Sequence, residues 1–287
     1  MDRLEIEAYA KINLGLDVVR RLENGYHEVR MIMQTVGIHD TLELKKREEG
    51  IFMTSDSEEA PADERNLAYR AAKLFFECTG IAGGIEIRLT KRIPVAAGMA
   101  GGSTDAAAVL KGMNTLFEAG LSVEELCSMG VKLGADIPYC IMGGTALAEG
   151  IGEKLTKLPD APGTYLLVAK PDFAVSTKEV YEKLRVAGIE KHPDITGMAQ
   201  AVREGNLPGI LAGMENVLEG VTEADHPEIT ELKHFMEENG AVKAMMSGSG
   251  PTVFGIYYEE ADAVLAKEKL TRLKPQLAKQ IFVTTFR

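Results

Sequence analysis

Hydrophobic and polar residues alternate along much of the first ninety positions, which is typical of β-strands with one buried face. The alternation predicts strands at residues 4–10, 13–19, 31–38, 41–46 and 84–89. The pair Asn24-Gly25 predicts a tight turn before the third of these strands. The acidic segment 55–64 has few apolar side chains to bury, so we expect a solvated loop there.

Apolar residues at helical spacing predict three helices in the middle of the chain, at residues 66–78, 104–117 and 122–133. The second is rich in alanine, the strongest helix former. The third begins after Ser122, with Glu125 three residues further on, which is the pattern of a capping box. A loop rich in glycine and alanine precedes the second helix.

The second half of the chain mixes both periodicities. Helices are predicted at residues 178–185, 195–203, 226–239 and 261–273, and strands at 142–147, 165–169, 242–247, 253–258 and 281–286. A polar connector rich in glycine and proline spans residues 150–163, and we expect the domain boundary there. The sequence therefore predicts an α+β protein with domains at 1–155 and 156–287.

The amino-acid composition argues against nucleic acids and membranes as binding partners. The 287 residues include 32 basic and 43 acidic side chains, a formal net charge of −11. An acidic chain binds phosphate backbones and anionic membranes poorly. Tryptophan is absent and aromatic residues make up 6%, which argues against stacking platforms for single-stranded nucleic acid. We therefore expect no nucleic acid and no membrane partner, and any bound anion must be held by a local site.

The three cysteines, Cys78, Cys127 and Cys140, are widely spaced and form no C-x-x-C pair. This excludes zinc ribbons and thioredoxin-like chemistry and fits a reducing compartment. The N-terminal residues contain no apolar segment of the kind found in signal peptides, and no apolar run reaches the ~18 residues that a membrane span needs. We expect a cytoplasmic location.

Residues 94–108 (PVAAGMAGGSTDAAA) give the strongest chemical signal in the sequence. Between residues 96 and 102 most side chains are absent or small, so backbone N–H groups can converge on an anion. The positive end of the following helix points to the same place, and Asp105 falls in its predicted first turn. The alternative is a turn that packs a helix tightly on a strand. The usual nucleotide motifs, G-x-x-x-x-G-K-[ST] and G-x-G-x-x-G, do not occur.

Three segments together resemble the motifs of the GHMP kinases. They are AYAKINLGL at residues 8–16, the loop at 94–108 and MMSGSGPTVFG at 245–255, hereafter motifs 1, 2 and 3. Within this family the resemblance is strongest to members that phosphorylate 4-diphosphocytidyl-2-C-methyl-D-erythritol. The segments that discriminate are AKINLGLDV, NGYHEV, GADIPYC and PDFAVST.

The resemblance implies two α+β domains with the active site in the cleft between them. The N-terminal domain should be similar to ribosomal protein S5 domain 2 and the C-terminal domain should be ferredoxin-like. The reaction implied is transfer of the γ-phosphoryl of ATP, with Mg²⁺, to the 2-hydroxyl of the methylerythritol unit in the non-mevalonate isoprenoid pathway. The partner is then a small molecule with a cytidine diphosphate group, and the protein a monomer or weak homodimer.

The resemblance also assigns residues by motif position. The catalytic residues are Lys11 and Asp136. Substrate binding falls to Asn13, Tyr26, His27, Thr177 and Tyr181. ATP binding falls to Asn66, Pro94, Val95, Ala96, Ala97, Gly98, Met99, Ala100, Gly101, Gly102, Ser103 and Thr104. No dedicated metal site is implied, and the hydroxyl of Ser103 or Thr104 is the expected Mg²⁺ contact.

Two positions depart from the family pattern. The family loop commonly contains G-L-G-G-G-S-S, whereas this chain has GMAGGST, with Ala100 in place of a glycine. A positive φ is costly for alanine, so we expect either a negative φ at Ala100 or a slightly different loop path. Tyr181 lies where an aromatic residue, often phenylalanine, is expected, so its hydroxyl must be accommodated.

Three other functions remain open on the sequence. Another small-molecule kinase of the same family, of the homoserine or mevalonate type, is disfavoured by NGYHEV and Tyr181, because those substrates have no base to stack. A catalytically silent nucleotide-binding protein would be expected to lack Lys11 and Asp136, which are both present. An unrelated phosphate-binding scaffold is disfavoured by motif 3. Taken alone, a lysine in a strand or an aspartate near a glycine would suggest only a solvated face or a turn.

Overall fold

A computed structural model of the chain describes all residues from Met1 to Arg287 and confirms the α+β class. Its strands are β1 Arg3–Arg21, β2 His27–Arg47, β3 Gly50–Ser55, β4 Gly84–Thr90, β5 Thr145–Glu149, β6 Lys154–Lys157, β7 Tyr165–Lys170, β8 Lys243–Met246, β9 Val253–Tyr257 and β10 Gln280–Thr285. Its helices are α1 Leu67–Thr79, α2 Gly101–Leu116, α3 Val123–Gly130, α4 Ile137–Met142, α5 Thr177–Lys183, α6 Ile195–Arg203, α7 Leu207–Gly213, α8 Glu219–Asp225, α9 Glu228–Glu238 and α10 Glu260–Leu273.

The chain forms two compact units, each made of several segments. The first unit contains Met1–Ala10, Ile38–Val95 and Ala100–Gly143. The second contains Lys11–Gly37, Ala96–Met99 and Gly144–Arg287. The strands β1 and β2 and the loop of motif 2 therefore contribute residues to both units. The division of the sequence at residues 155–156 stays a prediction.

The first unit combines a small sheet with four helices. Strand β4 pairs antiparallel with β2 over Thr41–Arg47 and parallel with β3. The side chains of Ile85, Ile87 and Leu89 alternate into the core, each at most 2% exposed, which is why the alternation identified this strand. Helix α1 is capped by Asn66, whose side chain accepts the N–H of Ala68. The loop of motif 2 starts where β4 ends and leads into helix α2.

The second unit contains a four-stranded antiparallel sheet in the order β10-β7-β9-β8. In chain order these are the fourth, first, third and second strands, which is the ferredoxin-like order that was expected. Five helices lie between β7 and β8 in the sequence, and α10 connects β9 to β10. In the same unit, β5 pairs with both β6 and the segment Met31–Gln34 of β2.

Most of the predicted helices and strands are present, and the differences in their boundaries have physical causes. The strands predicted at 4–10 and 13–19 form the single strand β1, and those predicted at 31–38 and 41–46 form the single strand β2. Each observed strand continues through the polar residues that interrupted the predicted pattern. The predicted strand at 142–147 begins only at Thr145, because Met142 closes helix α4. Six elements were missed, and all are short: β3, β6, α4, α7, α8 and a 3-10 helix at Val186–Gly188.

Candidate active site

The loop of motif 2 passes through two left-handed alanines before helix α2 begins. Ala96 has a φ of +51° and Ala100 a φ of +57°. Of the two alternatives expected for Ala100, a negative φ is therefore wrong, because the alanine adopts a left-handed conformation. This conformation costs an alanine about 1–2 kcal/mol, so the surrounding structure must hold it in place. The helix begins at Gly101, earlier than the predicted residue 104 because the weak helix propensity of glycine hides the first turn.

The first turn of helix α2 offers backbone donors to an anion. The N–H groups of Gly101, Gly102 and Ser103 have no acceptor within the helix, because the first helical bond is the one that the N–H of Thr104 donates to the carbonyl of Ala100, at 2.9 Å. A Cβ atom placed on the exposed Gly102 would meet only the Leu67 side chain, at 3.5 Å. The backbone is thus open to a close approach, and the helix end favours negative charge. This arrangement fits a phosphate group.

The two neighbouring hydroxyls of this turn differ in their surroundings. Thr104 is 3% exposed, and its Oγ1 donates to the carbonyl oxygen of Tyr9 at 2.7 Å. Ser103 is half-buried and its hydroxyl makes no such bond. The Thr104 hydroxyl is therefore engaged with strand β1.

Parts of all three motifs meet within the second unit. The N–H of Lys11, in motif 1, donates to the carbonyl of Met99 at 3.2 Å. Ser247 Oγ, in motif 3, donates to the carbonyl of Gly98 at 3.0 Å. A Cβ on Gly248 would lie 3.3 Å from the Gly98 carbonyl oxygen and 3.6 Å from Asn13 Oδ1. Segments far apart in sequence therefore form one contiguous group around Gly98.

Lys11 and Asn13 are buried neighbours on strand β1. Lys11 is 5% exposed, and its Nζ donates to Asn13 Oδ1 at 2.9 Å. Asn13 is fully buried, and its Nδ2 points to the sulfur of Met31 at 3.1 Å. A cation held away from bulk water attracts an anionic group more strongly than an exposed cation does. The lone lysine in an alternating strand is therefore a buried charge and not part of a solvated face.

Asp136 lies in the first unit at the start of helix α4. It occupies the N-cap position, but its side chain does not cap the helix, while its carbonyl accepts the N–H of Cys140 at 3.1 Å. Pro138 is compatible with this first turn because the turn needs no N–H there. The backbone of Asp136 therefore serves the helix, and its half-buried carboxylate is not used as a cap.

The five residues assigned to the substrate all belong to the second unit. The rings of His27 and Tyr181 lie 5.1 Å apart and are inclined by 35°. Tyr26 is 60% exposed, and its N–H donates to Asn24 Oδ1 within the predicted turn. Burial, and to a smaller extent the positive charge of Arg21, lower the pKa of His27. His27 is therefore held as a neutral imidazole near neutral pH.

Thr177 connects this aromatic group to motif 3. It is the first residue of helix α5, and its Oγ1 lies 2.8 Å from the Oγ of Ser249.

Asn66, in contrast, has a clear structural role in the first unit. Its Oδ1 accepts the N–H of Ala68 at 2.9 Å and its Nδ2 donates to the Pro61 carbonyl at 2.8 Å. One amide hydrogen of Asn66 is left for another partner.

Sequence analysis missed the residues that support motif 3. Asn216 is 3% exposed, and its Nδ2 donates to the carbonyls of Met246 and Gly248 at 2.9 and 2.8 Å. Thr222 Oγ1 donates to the carbonyl of Ser249 at 3.2 Å. Asn216 stands between Glu215 and Val217, and this local pattern does not predict a buried side chain. These bonds fix the turn that contacts Gly98.

Comparison with known proteins identifies the family. The family models for the N-terminal and C-terminal domains of GHMP kinases match residues 66–144 and 198–276. A protein of Lachnospira eligens named 4-diphosphocytidyl-2-C-methyl-D-erythritol kinase is 50% identical over 99% of this chain and 98% of its own length. A protein of the same name from Caldicellulosiruptor bescii is 48% identical over 98% of both chains. The chain belongs to the GHMP kinase family.

Solved structures of GHMP kinases agree with this fold. A crystal structure of 4-(cytidine 5'-diphospho)-2C-methyl-D-erythritol kinase is 34% identical, covers 99% of each chain and gives a TM-score of 0.84. The homoserine kinase of Cytophaga hutchinsonii is 20% identical, covers 100% of this chain and 95% of its own, and gives a TM-score of 0.80, which shows the fold alone. ATP use follows from membership of this kinase family.

Two further observations describe this GHMP kinase. No helix is both long and apolar enough to cross a membrane. No group of three or more histidine, cysteine, aspartate or glutamate side chains is arranged to hold a metal ion.

Proposed function

We propose that this protein transfers the γ-phosphoryl group of ATP to the 2-hydroxyl of 4-diphosphocytidyl-2-C-methyl-D-erythritol, a step of the non-mevalonate isoprenoid pathway. The observation that carries the proposal is the meeting of motifs 1, 2 and 3 around Gly98 in a unit that also holds the His27–Tyr181 ring pair. Full-length relatives at 48–50% identity carry the corresponding name.

The loop of motif 2, residues 94–104, would bind the triphosphate. Its donors are the first-turn N–H groups of helix α2, and Ala96 and Gly102 expose the backbone beside them. Asn66, at the cap of helix α1, would offer its remaining amide hydrogen on the adenosine side. When bound, Mg²⁺ would neutralise phosphate oxygens, and the Ser103 hydroxyl is the protein group proposed to contact it.

Asp136 would act as the general base. Its carboxylate takes the proton of the 2-hydroxyl as that oxygen forms its bond to the γ-phosphorus and the bond to the leaving ADP oxygen breaks. Lys11 would contribute positive charge that offsets the charge on the transferred group. The buried position of Lys11 strengthens this effect, and Asn13 orients its ammonium group.

The cytosine would bind at the aromatic group of the second unit. A base between two parallel rings needs about 7 Å, twice the ordinary contact distance, so it does not fit between His27 and Tyr181 at 5.1 Å. We therefore expect the base to stack on Tyr181 with His27 at its edge, and the exposed Tyr26 to form the opposite wall. A neutral imidazole can donate or accept a hydrogen bond to the base edge.

The wider context is proposed from composition. A net charge of −11 and three scattered cysteines favour a small-molecule kinase of the cytoplasm with no nucleic-acid partner. We expect a monomer or weak homodimer, which sedimentation equilibrium would test.

The decisive experiment is a coupled ADP-release assay against a panel of alcohols. The panel contains 4-diphosphocytidyl-2-C-methyl-D-erythritol, methylerythritol without the cytidine diphosphate group, homoserine and mevalonate. We expect turnover with the first compound only, with phosphorus NMR locating the new phosphate at the 2-oxygen. Equal turnover without the cytidine diphosphate group would overturn the substrate assignment. Nucleotide binding without turnover on any compound would indicate a catalytically silent protein.

A further inference from the structure

Three charged side chains without an assigned role are buried together in the first unit. Asp40 is fully buried, Asp105 is 2% exposed and the Lys91 side chain is 7% exposed. Lys91 Nζ lies 3.0 Å from Asp105 Oδ2 and forms a second ion pair with Asp40 Oδ2. We call this group the Asp40–Lys91–Asp105 cluster.

The cluster joins the two ends of the loop of motif 2. Asp40 Oδ1 accepts the N–H groups of Arg92 and Ile93 at 2.5 and 2.8 Å, which lie where the chain enters the loop. Asp105 is the fifth residue of helix α2, beyond the first turn in which the sequence placed it. Lys91 therefore connects the entry of the loop, through Asp40, to the helix at its exit.

The cluster also lies next to the proposed phosphate donors. A Cβ atom on Gly101, the first residue of helix α2, would lie 3.3 Å from Lys91 Nζ. The ammonium group thus lies beside the first turn of helix α2. A shift of Lys91 would therefore be transmitted directly to that turn.

Stability alone gives no reason for such a cluster. Apolar residues of similar volume often replace buried ion pairs without loss of stability. Here two carboxylates share one ammonium, and Asp105 Oδ1 has no hydrogen-bond partner. A buried oxygen without a partner is an unfavourable feature. Its presence beside the loop therefore points to a role in the geometry of that loop.

We propose that Lys91, held between Asp40 and Asp105, is a positioning residue for ATP that fixes the distance between the two ends of the loop of motif 2. It thereby directs the N–H groups of Gly101, Gly102 and Ser103 at the phosphates. The proposal rests on the proposed function in so far as ATP binds at this loop.

The protonation of the cluster is compatible with an anionic ligand nearby. Burial raises the pKa of Asp105 above its usual range against the opposing effect of Lys91, and the charge of Asp40 adds to the rise. Burial lowers the pKa of Lys91, but Asp105 and Asp40 outweigh it, so the net shift is upward. With a proton on Asp105 and an ammonium on Lys91, the cluster carries no excess negative charge that would repel phosphate.

The test uses the full chain and compares a single with a double variant. Lys91→Met leaves the buried carboxylate of Asp40 without a cation, and we expect it to lower the melting temperature strongly. Lys91→Met combined with Asp40→Asn removes this uncompensated charge, keeps an amide oxygen for the N–H groups of Arg92 and Ile93, and should fold close to wild type. The link between the loop ends is still missing in the double variant. We therefore expect its KM for ATP and its Kd for ADP, measured by calorimetry, to rise about 10- to 100-fold.

Two comparisons separate positioning from general destabilisation. Lys91→Arg keeps the cation and should restore much of the ADP affinity. Met113→Ala, at a fully buried position further along helix α2, should lower the melting temperature without changing the Kd for ADP. The KM for the alcohol substrate should change less than about threefold in every variant, because a positioning effect on the loop acts on the nucleotide.

A folded double variant that binds ADP and ATP as tightly as wild type would overturn the proposal and leave the cluster a structural feature only. The ADP titration keeps this outcome separate from failure of the proposed function. If wild type binds ADP but phosphorylates none of the alcohols, the assigned reaction is wrong, and the effect of Lys91 on nucleotide affinity is still measured.

Discussion

The hydroxyl of Ser247 donates to the carbonyl oxygen of Gly98 at 3.0 Å, and this bond attaches motif 3 to the loop of motif 2. The turn that carries Ser247 is itself closed by the N–H of Gly250, which donates to the Ser247 carbonyl at 2.9 Å. Asn216 holds the same turn from the other side through two carbonyls. Motif 3 thus supports the loop of motif 2.

Motif 3 packs so closely against Gly98 that a side chain at this position would not fit. Its φ is +72°, and a Cβ atom there would lie 2.2 Å from the Ser247 carbonyl oxygen and 3.1 Å from that of Gly250. We expect Gly98→Ala to lower the free energy of unfolding by about 2–4 kcal/mol, because backbone atoms must move and the conformation is strained. Urea unfolding would measure this loss.

Gly102→Ala provides the matched contrast. Its Cβ would meet only Leu67 at 3.5 Å, so the free energy of unfolding should stay within about 0.5 kcal/mol of wild type. The KM for ATP should rise, because the methyl group stands where phosphate approaches the backbone. Gly163→Ala, with nothing within 4 Å, serves as a reference for the effect of the substitution itself. If Gly98→Ala unfolds like this reference, the close contact with Ser247 is not structural.

Local pattern was sufficient for the elements whose stability is local. Helix α6 is present at the predicted residues, and helix α3 begins with the predicted capping box of Ser122 and Glu125. Strand β6 was hidden because its KLTK sequence is largely exposed and shows no alternation of burial. Helix α4 was hidden because six residues, nearly all apolar, contain too few turns to show a helical period.

The contacts within the candidate site were harder to predict from the local sequence pattern than the helices and strands were. The motifs predicted that Lys11, Asn13 and the loop belong together, and the structure places their atoms in contact around Gly98. Nothing in the sequence predicted that Lys91 would pair with both Asp40 and Asp105, because charged residues so far apart normally indicate solvated faces. The hydrophobic pattern predicts which face of an element is buried. The partner of a buried charge is determined instead by how segments far apart in the sequence pack together.

Replacing Asp136 by asparagine tests the proposed base. Asparagine keeps the size and shape of the aspartate side chain, and this side chain does not cap helix α4, so the Asp136→Asn variant should still fold. General-base catalysis contributes typically ~10²–10⁴-fold, so kcat should fall by about that factor with little change in the KM for ATP. The coupled ADP-release assay measures both quantities. Near-normal turnover would show that another group accepts the proton.

The ring of Tyr181 tests the binding of the base. Base–aromatic stacking is worth ~1–3 kcal/mol in single-stranded nucleic-acid complexes, so Tyr181→Ala should raise the KM for the cytidyl substrate roughly 5- to 150-fold. The KM for ATP should not change. Tyr181→Phe keeps the ring and should behave like wild type. A large effect of Tyr181→Phe would instead assign the binding energy to the hydroxyl.

The protonation of His27 should make part of the stability depend on pH. Burial is the main reason, and Arg21 the lesser one, why the pKa of His27 is below its ordinary value near 6.5. As the pH falls below about 6.5, the unfolded chain therefore gains a proton at this position before the folded chain does. Stability is thus complete above that pH and is lost progressively toward acid.

His27→Gln removes this contribution, so the wild type should gain stability relative to the variant as the pH rises from 5 to about 7 and then stay constant. Urea unfolding of both proteins at several pH values would measure the difference. Arg21→Gln should keep most of the slope, because burial is the larger cause of the shift. If the difference were the same at every pH, or larger in acid, His27 would not be held neutral in the folded protein. The proposed neutral contact with the base edge would then have to be abandoned.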